Sequence, residues 1–348
     1  MRPIFVVHSL TWDVDLTLKL MDRTTRLELV DAEGVESDTL ELDIDDRAGE
    51  VDVPEQGEIL RVYLGYSGRE LAHMGDYVID EIGLEGPPMT MSISGKGVDV
   101  VGSALKAPKS KTRRDEAETV GTLARAIAEE HGLEPTIHPE VDNIPVRHID
   151  QVGESDMALL QRLAGLHDLT LRVAARALTL RPHAARLSIG EALLGGLVVR
   201  EGKQLSRYRW RGKARTRYEG VRSHYYDPER AERVPVVVGA AGEDALILDE
   251  RHDCRDEDEA TRSGTSRMHQ LGRETASLSI DMPGDEWIRA GARLFLHGIR
   301  DPIHGHWSIE TVRHRLDRNG FTTSVEAVPP LDRLIYEGAL PALLGGAA

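Results

Sequence analysis

Glu154, Ser155 and Asp156 are the residues whose types and spacing most invite a chemical reading. Two carboxylates flanking a hydroxyl can serve as the acid and base of a glycosidase. The same triplet can begin a helix, with Ser155 as N-cap, Asp156 at the positive end of the dipole, and Leu159, Leu160, Leu163 and Leu166 facing inward. Capping is the simpler reading. His297, His304, His306 and His314 invite a metal, and on a strand His304 and His306 would share a face; no carboxylate or cysteine stands at a recognisable ligand spacing. His252-Asp253-Cys254 holds the side-chain types of a cysteine protease, but sequence neighbours rarely share one active site. The acidic run from Asp256 to Glu259 also disfavours a thiolate. No phosphate-binding loop or dinucleotide motif is present. The expectation is therefore a chain without a catalytic, cofactor-binding or metal site, and not an enzyme.

One charge pattern stands apart. Arg207, Arg209, Arg211, Lys213, Arg215 and Arg217 occupy every odd position of an eleven-residue run. In a strand they project from one face, while Tyr208, Trp210, Ala214 and Tyr218 line the other. A solvated strand face answered by acids from elsewhere would explain the pattern; so would an electrostatic seam to another chain or to cargo. These six residues are the interface candidates.

The elements that must position these residues follow from pattern. The chain has 348 residues, 40% of them apolar, which predicts two or three domains with real cores. Its 43 basic and 59 acidic residues give a net charge of −16, against whole-molecule attraction to nucleic acid or anionic lipid. A single cysteine, Cys254, excludes disulfide scaffolds and thiolate zinc clusters. The apolar run from Pro3 to Val7 is too short for a signal-peptide core or a membrane span, so synthesis in the cytoplasm is expected.

From Leu10 to Gly95, period-two runs such as Thr39-Leu40-Glu41-Leu42-Asp43-Ile44-Asp45 alternate with turn residues, the pattern of a small antiparallel barrel or sandwich. The polar, basic stretch from Ala104 to Ala117 reads as a linker. Beyond it, Thr119 can cap a helix with Val120, Leu123, Ile127 and Leu133 on one stripe, and strands are expected near Leu169–Val173 and Ala177–Arg181. From Ser206 the chain returns to strands, interrupted by a polar stretch, Asp256 to Gln270, that suits a solvated helix. The expected fold class is α+β, mainly β: a first β-barrel over 1–105, an α+β insert over 106–200, a second β-barrel with a helical insertion over 201–330, and a tail over 331–348.

A weak internal repeat supports the two barrels. QGEILRVYLGY at 56–66 parallels AGARLFLHGIR at 290–300. Gly75 then aligns with Gly305, Tyr77 with Trp307, Ile79 with Ile309, Asp80 with Glu310 and Ile82 with Val312. Three copies of a two-barrel chain around a threefold axis would present six similar barrels, so one face could look sixfold while the chain stays threefold.

Four pieces of the chain, LELVDAEGVESDTLELDIDDRAGEVDVPEQGEILRVYLGY with MGDYVIDEIGLEGPP, TVGTLARAIAEEHGLEP, HIDQVGESDMALLQRLAGLHDLTLRV, and SIDMPGDEWIRAGARLFLHGI with GHWSIETVRHRLDRNGFTTSVEA, resemble the phage late control protein D family, which forms the central hub of contractile-tail baseplates. The third is the most specific, matching Gln151, then Glu154-Ser155-Asp156, then Leu160, Arg162, Leu163 and Ala164. The hub part of type VI secretion spike proteins shares that motif. Those spikes continue into an oligonucleotide-binding-fold domain and a β-helical needle, and the expectation here is a hub that carries neither. The resemblance therefore implies an unfused structural hub, a homotrimer adapting the sixfold tail tube to a separate trimeric spike in a phage or tailocin baseplate. Implied partners are the spike, the tube or its initiator, baseplate wedge proteins and the tape-measure protein, with no cofactor and no membrane binding of its own. The alternatives are a tail-associated peptidoglycan hydrolase and the hub fragment of a type VI-like spike.

Overall fold

The computed structural model describes residues 2–34, 38–98, 105, 107–112, 119–146, 149–174, 177–183, 197–200, 205–212, 218–239 and 245–329. The chain is mainly β, as its alternating runs predict. Seven strands come first: β1 (Pro3–Ser9), β2 (Val14–Asp15), β3 (Thr24–Ala32), β4 (Thr39–Asp45), β5 (Ile59–Tyr66), β6 (Ala72–Glu85) and β7 (Thr90–Gly97), with a one-turn helix α1 (Thr17–Leu20) after β2. Their inward residues, including Val7, Leu27, Leu29, Leu40, Leu42, Leu60, Val62 and Ile79, form one core.

The middle of the chain carries β8 (Pro108–Thr112), α2 (Val120–Glu130), β9 (Glu134–Ile137), β10 (Asp150–Ser155), α3 (Asp156–Leu166), β11 (Leu169–Ala174) and β12 (Ala177–Pro182). Thr119 and Ser155 are the N-caps, each side-chain oxygen accepting from a backbone N–H three residues on. Val120, Leu123, Ile127, Leu159, Leu160 and Leu163 meet in a second core with Leu171, Leu178 and Leu180. Two expectations need correction. Leu166 is 41% exposed, because α3 ends there and its last turn leaves the core. Residues 108–112 are a strand paired antiparallel with β10, not a linker, so a polar composition there hid a ladder whose partner lies 40 residues on.

The last part holds β13 (Leu197–Arg200), β14 (Arg207–Gly212), β15 (Gly220–Asp227), β16 (Glu232–Gly239), β17 (Ile247–Cys254), α4 (Glu257–Arg273), β18 (Ala276–Pro283), β19 (Arg293–His297), β20 (Gly305–Asp317) and β21 (Gly320–Val328). Strands β15, β16 and β17 form a small sheet of their own. Helix α4 packs on it through Ala260, Gly264 and Ser266, so the polar helix is not solvated all round. The approach is close at Gly264, where a Cβ would stand 2.9 Å from Val238 Cγ2. The remaining strands build a third core around Leu278, Ile280, Leu294, Leu296, Trp307, Ile309 and Val325.

Closed barrels were expected, and the structure shows large open antiparallel sheets instead. The first and last strand groups join in one thirteen-stranded sheet, along the eleven-strand path β14-β18-β21-β20-β3-β4-β7-β6-β5-β1-β2, with β19 branching from β20 and β13 beside β19. The edge of β3 that closure of the first group would need is taken by β20, from Asp31 opposite Val312 to Arg26 opposite Asp317.

The ladder register repeats between the two groups. Leu60 faces Tyr77 in the first, and Leu294 faces Trp307 in the last. Ile82 faces Ile93, which faces Leu42; Val312 faces Val325, which faces Ile280. Both long strands are bulged at the same place, between Ile79 and Glu81 and between Ile309 and Thr311. Gly57 and Gly291 stand just before β5 and β19 with φ of 88° and 80°, a left-handed turn that a Cβ would strain.

Candidate assembly interface

Strand β14 ends the sheet path, hydrogen-bonded on one side to β18 alone among the described residues. Its alternation puts Trp210 half-buried against the third core and leaves Arg207, Arg209 and Arg211 exposed. Among the described residues none of these three arginines has an ion-pair partner, so three like charges stand on one strand face. Lys213, Arg215 and Arg217 lie outside the described residues.

A buried charge cluster fixes the first strand group, the middle unit and the last group against one another. Arg172 on β11 places Nη2 3.0 Å from Asp31 Oδ1 and 3.4 Å from Asp38 Oδ2. Arg181 on β12 reaches Glu33 at 2.9 Å. Asp31 Oδ2 also accepts from the Ala290 N–H at 2.9 Å. Burial, reinforced by the neighbouring Asp31 charge, pushes the Asp38 carboxyl up; burial also raises Glu33 against the pull of Arg181. The cluster bridges elements more than 130 residues apart in sequence through charge-assisted hydrogen bonds.

The Gln151–Asp156 segment is a structural staple. Asp156 is fully buried, with Gln151 Nε2 donating to Oδ1 at 3.0 Å and His131 Nε2 lying 2.7 Å from Oδ2. Gln151 also donates to the Glu154 carbonyl, and Glu154 is held by Arg162 at 2.7 Å. The two candidate carboxylates thus serve the start of α3, one sealed inside and one paired at the surface. His131 was not singled out from the sequence; its position one residue past α2 puts it over the α3 cap, and only the tertiary fold reveals that. Glu130, His131 and Asp156 bring potential ligand atoms within 4.8 Å of one another, though His131 and Asp156 already share a hydrogen bond.

Among the described residues the four histidines do not bring their ring nitrogens together as a metal-ligand group. His297, His304 and His306 gather around the Phe295 ring, with ring centroids 6.3, 5.7 and 4.7 Å away. His314 sits apart and fully buried, Nδ1 3.0 Å from Thr323 Oγ1 and Nε2 3.2 Å from the Ile288 carbonyl. Burial and the nearby Arg289 charge push it down to about 3. His252 and Cys254 lie on β17 with Asp253 between them, and Asp253 is held by Arg233 at 2.7 Å. Burial, with Glu259 second, raises the Cys254 thiol, against nucleophilic use.

Sequence reasoning also missed an apolar cleft of about 330 Å³ in the first strand group, lined by Trp12, Val14, Leu16, Leu20, Val51 and Val53 among others. Its rim residues Trp12, Val14 and Val53 are all exposed. Among the described residues no helix is long and apolar enough to cross a membrane.

Comparison with known proteins places this architecture. The family model described as phage tail baseplate hub (GPD) matches residues 108–320. A probable baseplate hub protein of Escherichia phage 186 is 27% identical over 363 residues, covering 92% of this chain and 92% of that protein. The crystal structure of the 43 kDa tail protein of prophage MuSo2 from Shewanella oneidensis shares the fold with a TM-score of 0.69 at 14% identity, covering 94% of this chain and 98% of that one. An Escherichia coli type VI secretion system component, described as similar to T4 bacteriophage tail proteins, has a TM-score of 0.55 at 10% identity, covering 88% of this chain and 73% of its own.

Proposed function

Because the chain belongs to the phage tail baseplate hub family, we propose that it acts as a trimeric symmetry adaptor in a contractile-tail baseplate, without enzymatic activity. One face would meet the sixfold tail tube and the other a separate trimeric spike, with wedge proteins around the rim and the tape-measure protein above. The observation that carries this reading is the repeated ladder: Leu60 opposite Tyr77 and Leu294 opposite Trp307, with the bulge at the same place in both long strands. A chain holding two similar strand groups offers each turn of a threefold assembly two near-equivalent surfaces, which is what contact with a sixfold ring requires.

The test is the symmetry of the hub in assembled particles, by electron microscopy without imposed symmetry. Three copies on the axis are expected; two or six would overturn the adaptor role. The hydrolase alternative draws no support from Glu154 and Asp156, which are occupied in holding α3. A peptidoglycan-degradation assay on purified protein is expected to show no cleavage.

A further inference from the structure

The junction between β3 and β20 lies within one chain, and the repeated register says where its counterpart lies. Leu29 faces Leu40, which faces Gly95, which faces Ile79. In the last strand group Trp210 faces Leu278, which faces Ala327, which faces Ile309. Step for step, β14 stands where β3 stands and β6 stands where β20 stands.

β20 changes partner along its length. Up to Ser308 it pairs with β19; past the bulge, from Thr311, the same edge pairs with β3. β6 does the first half of this. It pairs with β5 up to Val78 and bulges after Ile79, and then the Glu81–Glu85 edge has no strand beside it among the described residues. Correspondingly, the outer edge of β14 is unpaired among the described residues, where β3 has β20. The side chains record the same vacancy in the ladder. Leu84, in the place of the fully buried His314, is 56% exposed; Tyr208, in the place of the buried Leu27, is 37% exposed.

We infer that β14 of one copy pairs antiparallel with Glu81–Glu85 of β6 in the next copy, repeating between chains the β3–β20 junction. This rests on the reading that hub copies assemble around an axis. The β3–β20 register carries over residue by residue. His314 opposite Leu29 becomes Leu84 opposite Trp210, Arg315 opposite Glu28 becomes Glu85 opposite Arg209, and Arg313 opposite Val30 becomes Gly83 opposite Arg211. The charges suit this pairing. Arg209 meets Glu85 directly, and Arg207 and Arg211 flank it on the diagonals. Among the described residues none of Glu81, Glu85, Arg207, Arg209 and Arg211 has an ion-pair partner within the chain. The junction is heterologous, so it propagates from copy to copy until the ring closes. Pairing would cover two open sheet edges and the exposed Leu84 at once.

The test uses full chains in a Cys254→Ser background, one carrying Glu85→Cys and the other Arg209→Cys, co-expressed and assembled into particles before oxidation. Directly opposed strand residues hold their Cβ atoms about 5 Å apart, within disulfide reach after small adjustment. A mixed disulfide between the two variants is expected, with none when Glu85→Cys is combined with Arg318→Cys on a distant turn. Normal particles without the Glu85–Arg209 cross-link, or equal cross-linking to Arg318→Cys, would overturn the pairing. A chain carrying both cysteines separates this inference from the adaptor reading. A closed three-chain product supports both. An open ladder keeps the pairing and defeats threefold closure, whereas a three-chain hub lacking the cross-link does the reverse. If the cysteine variants fail to assemble, the charge exchange decides: loss of particles in Glu85→Arg and in Arg209→Glu, with recovery when both are combined, is expected. No recovery would overturn the pairing.

Discussion

Arg273, at the end of α4, donates through both terminal guanidinium nitrogens, Nη1 and Nη2, to Asp168, at the turn after α3, 105 residues earlier in the chain. His269 lies 3.4 Å from the same carboxylate, and Gln270 donates to the Gly165 carbonyl at 3.0 Å. Burial alone would raise Asp168, but the hydrogen bonds from His269 and Arg273 outweigh it and hold the carboxyl at about 2. These contacts join α4, and with it the small β15–β17 sheet, to the middle of the chain.

Asp168→Asn keeps the shape and removes the charge. Asp168 has a φ of 53°, which asparagine adopts readily, so backbone strain does not enter. The variant leaves Arg273 without its counter-charge in a largely buried site, and a loss of about 3 kcal/mol is expected in urea unfolding. Faster hydrogen exchange in 257–273 than in 120–130 would show that the lost contact is the docking of α4. The native pair strengthens the fold above the unfolded carboxylate value near 3.8, and its contribution disappears as pH falls towards 2.

His314 predicts a second pH dependence at milder acidity. Its folded-state value is depressed to about 3 from an ordinary 6.5, so the neutral ring is the form the core accepts. The contribution is fully present above 6.5 and is lost as pH falls through the interval down to 3. At pH 4.5 the loss should be about 3 kcal/mol. His314→Gln, which can still bond Thr323, should flatten this part of the profile. Thermal unfolding of both proteins between pH 7 and 4 checks it; parallel curves would show that His314 is not the sensing group.

The buried Trp307 and Tyr77 occupy matching ladder positions but differ in what they lose. Trp307→Ala should cost about 4 kcal/mol, since it opens a large cavity and removes the Nε1–H bond to the Ile303 carbonyl at 2.8 Å. Tyr77→Phe removes one hydroxyl that donates to the Met74 carbonyl at 3.2 Å, and should cost about 1 kcal/mol. Denaturant midpoints at constant m-value measure both.

What could be read from the sequence was local. Thr119 and Ser155 announce their helices because a capping hydroxyl satisfies backbone donors within three residues. Gly57 and Gly291 mark matching turns because a left-handed φ restricts the residue type. The repeat was visible through these short-range devices. Strand partnership was not. Nothing in the composition of Arg26 to Ala32 says that its free edge meets Thr311 to Asp317 rather than closing a barrel, because that choice is made by strands 280 residues apart. The same reason hid the strand at 108–112, the docking of α4 through small residues, and the pairing of His131 with Asp156. The basic run was legible as an alternating pattern, but its place at the end of a sheet was not.

That place gives the last prediction. Arg207, Arg209 and Arg211 are exposed on a terminal strand, so their charge contributes little to the fold of a single chain. Like charges on one strand face repel until an acidic partner arrives, and a chain of net charge −16 supplies acids in every neighbouring copy. Changing Arg209, Arg211 and Lys213 together to Glu reverses that attraction, and Arg209 and Arg211 are both exposed. The variant should express as a folded chain with an unfolding midpoint within about 1 kcal/mol of the parent, yet should fail to enter particles. Circular dichroism and denaturant unfolding check the fold, and counting intact particles in a complementation experiment checks assembly. Normal particle yield would reduce the arginines to a solvated strand face, whereas an unfolded variant would show that the strand relies on acids within its own chain.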